Sequence, residues 1–195
     1  ALLSSLKNKN KLKVSKNHNF YLGSSFQTNE ILDSIKKSKQ KFEKPRDLLI
    51  KVANLLSEGK IVAWFQGKSE FGPRALGNRS ILSRPFPETQ RDFINKKVKF
   101  RESFRPFAPS ILKEELSNWF NMQVDSPYML LVTEIKNDKK IEMSEDQKKL
   151  FGIDKLNIKR SEIPAITHVD YSARIQTVSK NRNPKYYKLL NEFNK

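Results

Sequence analysis

The sequence predicts an α/β (α+β) fold of strands and helices. Three observations carry that expectation. Leu48, Leu49, Val52, Leu55 and Leu56 recur at helical spacing up to Gly59, and a run apolar on both faces, Ile61-Val62-Ala63-Trp64-Phe65, follows at once. Further on, short β-like runs alternate with helical ones until Pro184, which suits the first turn of a last helix through Phe193. The 195 residues are enough for one domain with a real core, and the absence of cysteine excludes a disulfide scaffold or thiolate metal site.

In order along the chain, Phe20 to Leu22 reads as a short strand entering a loop at Gly23, and Thr28 to Lys41 as a polar helix stopped before Pro45. The helix from Asp47 is expected to pack on Ile61–Phe65 as a central, covered strand. Residues 66–84 hold Gly67, Gly72, Pro73 and Gly77 with few apolar residues and read as a loop. Glu88 to Lys99 reads as a second helix with Phe93, Ile94 and Val98 on its packed face. Ser110-Ile111-Leu112 follows a proline-interrupted stretch, Lys113 to Phe120 reads as a short helix, and Met129 to Ile135 as a strand. Lys136 to Arg160 is a charged excursion, and Ile163–Val169 and Arg174–Val178 read as two strands joined at Asp170 and Tyr171. There is no internal repeat.

Lys and Arg number 38 against 21 Asp and Glu, a formal charge of +17, which favours anionic partners without saying which. The lysines of residues 1–19, mixed with Asn and Ser, read as a solvated low-complexity surface or as a nucleic-acid-binding arm. The arginines are distributed differently. Six of the ten (Arg74, Arg79, Arg84, Arg91, Arg101, Arg105) fall between positions 74 and 105, beside only three lysines. A chain that elsewhere uses Lys for charge has reason to use Arg where a planar fork must hold phosphate or carboxylate oxygens. The longest apolar runs span about a quarter of the ~20 residues a membrane helix needs, and no export signal follows Ala1, so a soluble, cytoplasmic protein is expected.

Three clusters could carry chemistry. Residues 66–80 follow the buried strand, where α/β folds place ligands; their glycines would let backbone amides approach an anion, with Arg74 and Arg79 as forked donors. The segment is not a P-loop, since position 62 is Val rather than Gly. In the second cluster, Lys99 and Arg101 would share one face of an extended chain, with Phe100 anchored in the core and Arg105 nearby. A basic, aromatic RNA-binding strip would use the same residue types. The third cluster holds His168, read as structural or substrate-contacting, with Asp170 as the one acidic neighbour at ligand spacing, so no metal site is expected.

The runs GKIVAWFQGKSEFGPRALGNRSIL, NKKVKFRESFRPFAPSIL, SPYML, PAITHVDYSARIQTV and NPKYYKLLNEF together resemble the C-terminal domain of the carbamoyltransferases of nodulation-factor and antibiotic biosynthesis, over about residues 20–193. That domain is similar to the YrdC and Sua5 threonylcarbamoyl-adenylate synthases, so the resemblance implies a YrdC-like twisted mixed sheet over residues 20–195. It also implies that residues 1–19 are a linker or the remnant of a preceding Kae1-like domain. The implied function is formation of carbamoyl-adenylate from carbamoyl phosphate and ATP with Mg2+, for transfer to a hydroxyl of a sugar or natural-product acceptor. Iron would be expected only on the Kae1-like domain.

By the same resemblance the catalytic set is Lys99 and Arg101, matching a KxR pair, and Ser172 and Arg174, matching an SxN pair with Arg in place of Asn. Arg74, Arg79, Arg105 and His168 would bind ATP or carbamoyl phosphate. Two departures stand beside the site: Tyr171 where glycine is usual, and Ser103 where Trp is expected. The alternative is a YrdC-like RNA-binding module; a nucleic-acid partner is the less favoured expectation.

Overall fold

The computed structural model describes residues 19–195, so most of the linker expected at 1–19 lies outside the described residues. The first helix, α1 (Thr28–Lys37), opens on a capping box between Gln27 and Glu30 and buries none of its side chains. Helix α2 (Leu48–Ser57) starts where the Asp47 carboxylate accepts the N–H groups of Leu49 and Ile50, at 3.0 and 3.1 Å. It ends in a Schellman turn, with Lys60 N–H on Leu55 O and Gly59 N–H on Leu56 O, both 2.9 Å. Gly59 has φ +84°, and a Cβ there would lie 2.9 Å from the Arg84 guanidinium, so glycine satisfies both the turn and the arginine against it.

Strand β1 (Val62–Phe65) pairs antiparallel with β2 (Arg79–Leu82) in a separate two-stranded sheet. It is therefore not the covered central strand that its apolar run predicts. Trp64 is 5% exposed but Phe65 is 55% exposed, because only one face of the pair meets the core. The expected loop 66–84 accordingly contains a strand. Phe20 and its neighbours form no strand of a sheet, yet they bond to that loop: Gly23 N–H reaches Ser69 O and Ser69 N–H reaches Ser24 O, both at 3.0 Å.

Helix α3 (Glu88–Ile94) continues not as α-helix to Lys99 but as a π-turn over Asn95–Lys99. Its buried face is Arg91, Ile94 and Asn95, while Phe93 points outward. The second sheet has the order β3-β5-β4: β3 (Ser110–Leu112) runs parallel to the central β5 (Ser172–Val178), and β4 (Leu131–Glu134) antiparallel to it. Helix α4 (Leu116–Trp119) follows a 3-10 turn, and the charged excursion holds the short, unburied α5 (Glu145–Lys149) and α6 (Gly152–Leu156). Helix α7 (Pro184–Phe193) starts with Asn183 as cap and Pro184 in the first turn, as expected.

Of the two strands predicted for the third cluster, the first, Ile163–Val169, is absent. Thr167 Oγ donates to Ile163 O at 2.9 Å and Ile166 N–H bonds the same carbonyl at 3.3 Å, curling the apolar run Ile163–Ile166 into a buried turn that Pro164 favours by lacking a donor. The mixed α/β architecture thus agrees with the sequence, with strand content smaller and more divided than expected.

Strand β5 separates two cores. Val178 faces a cluster with Val52, Leu56, Trp64, Tyr186 and Leu189, in which α2 packs on α7. Ala173 and Ile175 face the other, with Leu116, Phe120, Ile135, Ile163 and Ile166. Each fully buried Leu or Ile contributes about 1.5–3 kcal/mol. Among the described residues no helix is long and apolar enough to cross a membrane.

Candidate functional site

Between the β1–β2 pair, the end of α3, the segment 106–112, β5 and α7 lies an open cavity of about 690 Å³. Of the eight residues singled out from sequence, four line it: Arg74, Lys99, Arg101 and Arg174. Arg84 and Arg91, noticed only as part of the arginine concentration, line it too. Among the described residues no carboxylate comes within ion-pair distance of Arg74, Arg84, Lys99, Arg101 or Arg174, whereas Arg91 pairs with its neighbour Asp92 at 2.9 Å. The Nε atoms of Arg84 and Arg174 are buried with no hydrogen-bond partner among the described residues. Burial, and then the nearby charge of Arg74, lowers the pKa of the Arg174 guanidinium. Burial followed by Arg105 lowers that of Arg101, against the opposing pull of Glu102. Cations held together without counterions make a site for an anion carrying several oxygens.

The reason Lys99 and Arg101 reach this wall differs from the one read from sequence. The segment is not extended: Lys99 ends the π-turn, and Phe100 takes left-handed angles (φ 50°) and is 84% exposed rather than anchored in the core. What anchors Arg101 is a hydrogen bond from its Nε to Asn95 Oδ1 at 2.7 Å, with the guanidinium 4.9 Å above the Phe107 ring.

The other four residues stand apart from the cavity. Arg79 donates to the carbonyls of Gln66, Asn78 and Gly67 at 2.6, 3.0 and 3.0 Å and to that of Ser24 at 3.3 Å, and lies 3.4 Å over the Phe65 ring. Its donors are occupied by the loop itself. Arg105 is exposed and pairs with Glu102 at 3.2 Å. His168 sits on the turn before β5, 3.4 Å from Asp170. Ser172 opens β5, and its hydrogen bond holds the Asp170 carboxyl below its usual range. Tyr171 takes φ +63°, so the left-handed turn that glycine would supply persists with a side chain, at a cost of roughly 1–2 kcal/mol.

The loop 66–80 does use its amides to bind an anion, but that anion is its own. Glu70 Oε1 accepts the N–H groups of Leu76, Asn78 and Arg79 at 2.7, 2.8 and 3.2 Å. A buried polar network fixes the same loop to the rest of the fold. Gln66 Nε2 donates to Asn78 Oδ1 at 2.8 Å and to Asn183 Oδ1 at 2.7 Å, and Gln176 Nε2 donates to Leu76 O at 2.8 Å. Gly77, at φ +97°, lies so close to Tyr186 that a Cβ would fall 2.3 Å from the ring. The loop is thereby closed at its base while Arg74 stands at the cavity. The arginine concentration could have drawn attention to Arg84 and Arg91; no sequence signal marked Asn95 or Glu70.

The family model described as carbamoyltransferase C-terminus matches residues 53–195. The chain is 40% identical over 156 residues to nodulation protein NolNO of Sinorhizobium fredii, covering 78% of this chain and 20% of that protein. It is 37% identical over 142 residues to 3'-hydroxymethylcephem-O-carbamoyltransferase of Streptomyces clavuligerus, covering 73% and 23%. An uncharacterized Synechocystis protein, sll1178, is 49% identical over 177 residues, covering 89% and 29%. The chain spans less than a third of the length of each of these relatives.

Proposed function

The chain belongs to the carbamoyltransferase C-terminus family, and from that premise we propose that it is the carbamoyl-adenylate-forming part of an ATP-dependent O-carbamoyltransferase acting in the cytoplasm. The observation that carries this reading is the convergence of Arg74, Lys99, Arg101 and Arg174 on one cavity with no carboxylate among the described residues to pair them.

In the proposed reaction, water cleaves carbamoyl phosphate to carbamate and inorganic phosphate. A carbamate oxygen then bonds to the α-phosphorus of ATP as the bond to the β-phosphate oxygen breaks, and pyrophosphate leaves with that electron pair. Carbamate is a weak nucleophile, and the reactants crowd many anionic oxygens together, so the work falls to positioning and charge stabilisation. Guanidinium forks at 74, 101 and 174 suit that work without a titrating acid or base. Among the described residues no three His, Asp or Glu side chains gather to hold a metal, and the carboxylate in the cavity wall, Glu115, already accepts from Asn118 at 2.8 Å. This donor set does not amount to a resident magnesium site; Mg2+ would enter on the nucleotide's phosphates. Transfer of the carbamoyl group to a hydroxyl-bearing small molecule is proposed to occur on a Kae1-like domain of the same polypeptide, consistent with the small share of each relative that this chain spans.

Calorimetry with Mg-ATP, alone and with carbamoyl phosphate, tests the reading, together with pyrophosphate release that requires carbamoyl phosphate. Saturable binding and such release are expected. Folded protein giving no saturable heat would overturn the reading, and RNA binding that falls steeply with salt and ignores ATP would favour the nucleic-acid alternative.

A further inference from the structure

Asn95 has no solvent exposure, and every hydrogen-bonding group of its side chain is used. Its Nδ2 donates to Ser103 O at 3.0 Å and to Arg105 O at 2.8 Å, and its Oδ1 accepts from Arg101 Nε at 2.7 Å. The orientation of the amide is fixed by this pattern. Exchanging its oxygen and nitrogen would set an N–H against the Arg101 N–H and an oxygen against two carbonyls. Its backbone carbonyl, freed by the widened π-turn, accepts the N–H of Phe100 and, at 3.0 Å, that of Arg101.

One side chain thus folds residues 100–105 back onto the end of α3 and takes the inner nitrogen of the Arg101 guanidinium. The two Nη groups make no hydrogen bond within the described residues, and the Phe107 ring supports the plane from one side. Arg101 is therefore held by its stem, with its fork open to the cavity.

We propose that Asn95 is a positioning residue for the carbamoyl-adenylate reaction: through its hydrogen bond to Nε it aims the Arg101 fork at the phosphate oxygens of the substrate. This rests on the function proposed above. A guanidinium that must find its orientation on binding gives up part of the advantage of a preset donor, so removing the aim should cost rate and affinity through Arg101 and not otherwise.

The test is a double-mutant cycle. Asn95→Ala removes the amide altogether; Asn95→Ser withdraws the acceptor from Nε while keeping a smaller polar side chain. Each is made alone and with Arg101→Lys, which has no Nε donor. The readouts are Mg-ATP dissociation constant, carbamoyl-phosphate-dependent pyrophosphate release and Tm. With Arg101 present, either change is expected to lower pyrophosphate release or Mg-ATP affinity about 10- to 100-fold. In the Arg101→Lys background the same change should have an effect within about twofold.

Equal losses in both backgrounds would overturn the proposal, since they would show Asn95 to be only loop scaffolding, as would an Asn95→Ala or Asn95→Ser variant that binds and reacts like the wild type. If Asn95→Ala does not fold, Asn95→Ser decides alone. A wild-type chain that neither binds Mg-ATP nor releases pyrophosphate would remove the functional reading and this proposal together, whereas an active wild type with an additive cycle removes this proposal alone.

Discussion

Arg74 and Arg79 stand five residues apart on one loop, and their donors meet opposite fates. Arg79 spends its guanidinium on four backbone carbonyls and a phenylalanine face, while Arg74 reaches a cavity where no carboxylate pairs with it. The same division separates two regions. At the base of the loop, Glu70, Gln66, Asn78 and Asn183 satisfy one another; along the cavity wall, Arg74, Arg84, Arg101 and Arg174 leave donors unmet. An arginine's presence in a motif therefore does not say whether it builds the site or serves it. The count of donors already occupied does.

The largest expected effect tests the closed region. Gly77→Ala must place a Cβ against the Tyr186 ring in a left-handed backbone, which should cost about 2–4 kcal/mol and lower Tm by roughly 5–15 °C. A Tm unchanged within two degrees would break the picture of a rigid base. Next comes the open region. Arg101→Lys keeps the charge but loses the fork and the Nε bond to Asn95, so carbamoyl-phosphate-dependent pyrophosphate release should fall roughly 10- to 150-fold, with Tm lowered by no more than a few degrees. A near-wild-type rate would move Arg101 out of the site.

Arg79→Lys inverts that pattern. It should destabilise the fold by about 1–2 kcal/mol through lost hydrogen bonds to backbone carbonyls, read as a lower midpoint in urea, while Mg-ATP affinity stays within about twofold. Selective loss of affinity without loss of stability would erase the distinction between the two arginines.

The smallest effect concerns pH. Burial pushes the Tyr186 hydroxyl up to about 12 from its ordinary 10.0, partly offset by a hydrogen bond with Ser110. The unfolded chain then loses this proton before the folded one, so the contribution is complete below pH 10 and disappears as pH rises from 10 to 12. Thermal scans across that window should show Tm falling, less steeply in Tyr186→Phe; the remaining slope belongs in part to Tyr21, raised mainly by burial.

Much of the fold was legible because local chemistry and tertiary need agree there. Asp47 and Gly59 mark both ends of α2, and Asn183 with Pro184 marks the start of α7. The misread elements are those whose apolar residues carry no usable period. Ile163 to Thr167 is buried as a turn because side-chain hydroxyls close it, and β1 is covered on one side because its only partner is β2. At the site, Arg74, Arg84, Arg91 and Arg101 were visible as a departure from the chain's preference for lysine, whereas Lys99 and Arg174 were marked by the family resemblance. Their supports were not: Asn95 works through three hydrogen bonds to residues six to ten positions away, and a lone Asn in a lysine-rich stretch looks like any surface residue.

Strand β5 sends Ala173 and Ile175 into one core, and Arg174, Gln176 and Val178 toward the cavity and the other. Gaining or losing a single residue within it would turn the arginine into the hydrocarbon core and an isoleucine into the cleft, so the fold and the anion site would fail in one step. Length changes in β5 can survive only in pairs, whereas the unburied helical stretch at 145–156, which packs no side chain into a core, can grow or shrink by any number. Over evolutionary time the two stretches should accordingly drift under different rules, one in units of two residues or none, the other freely.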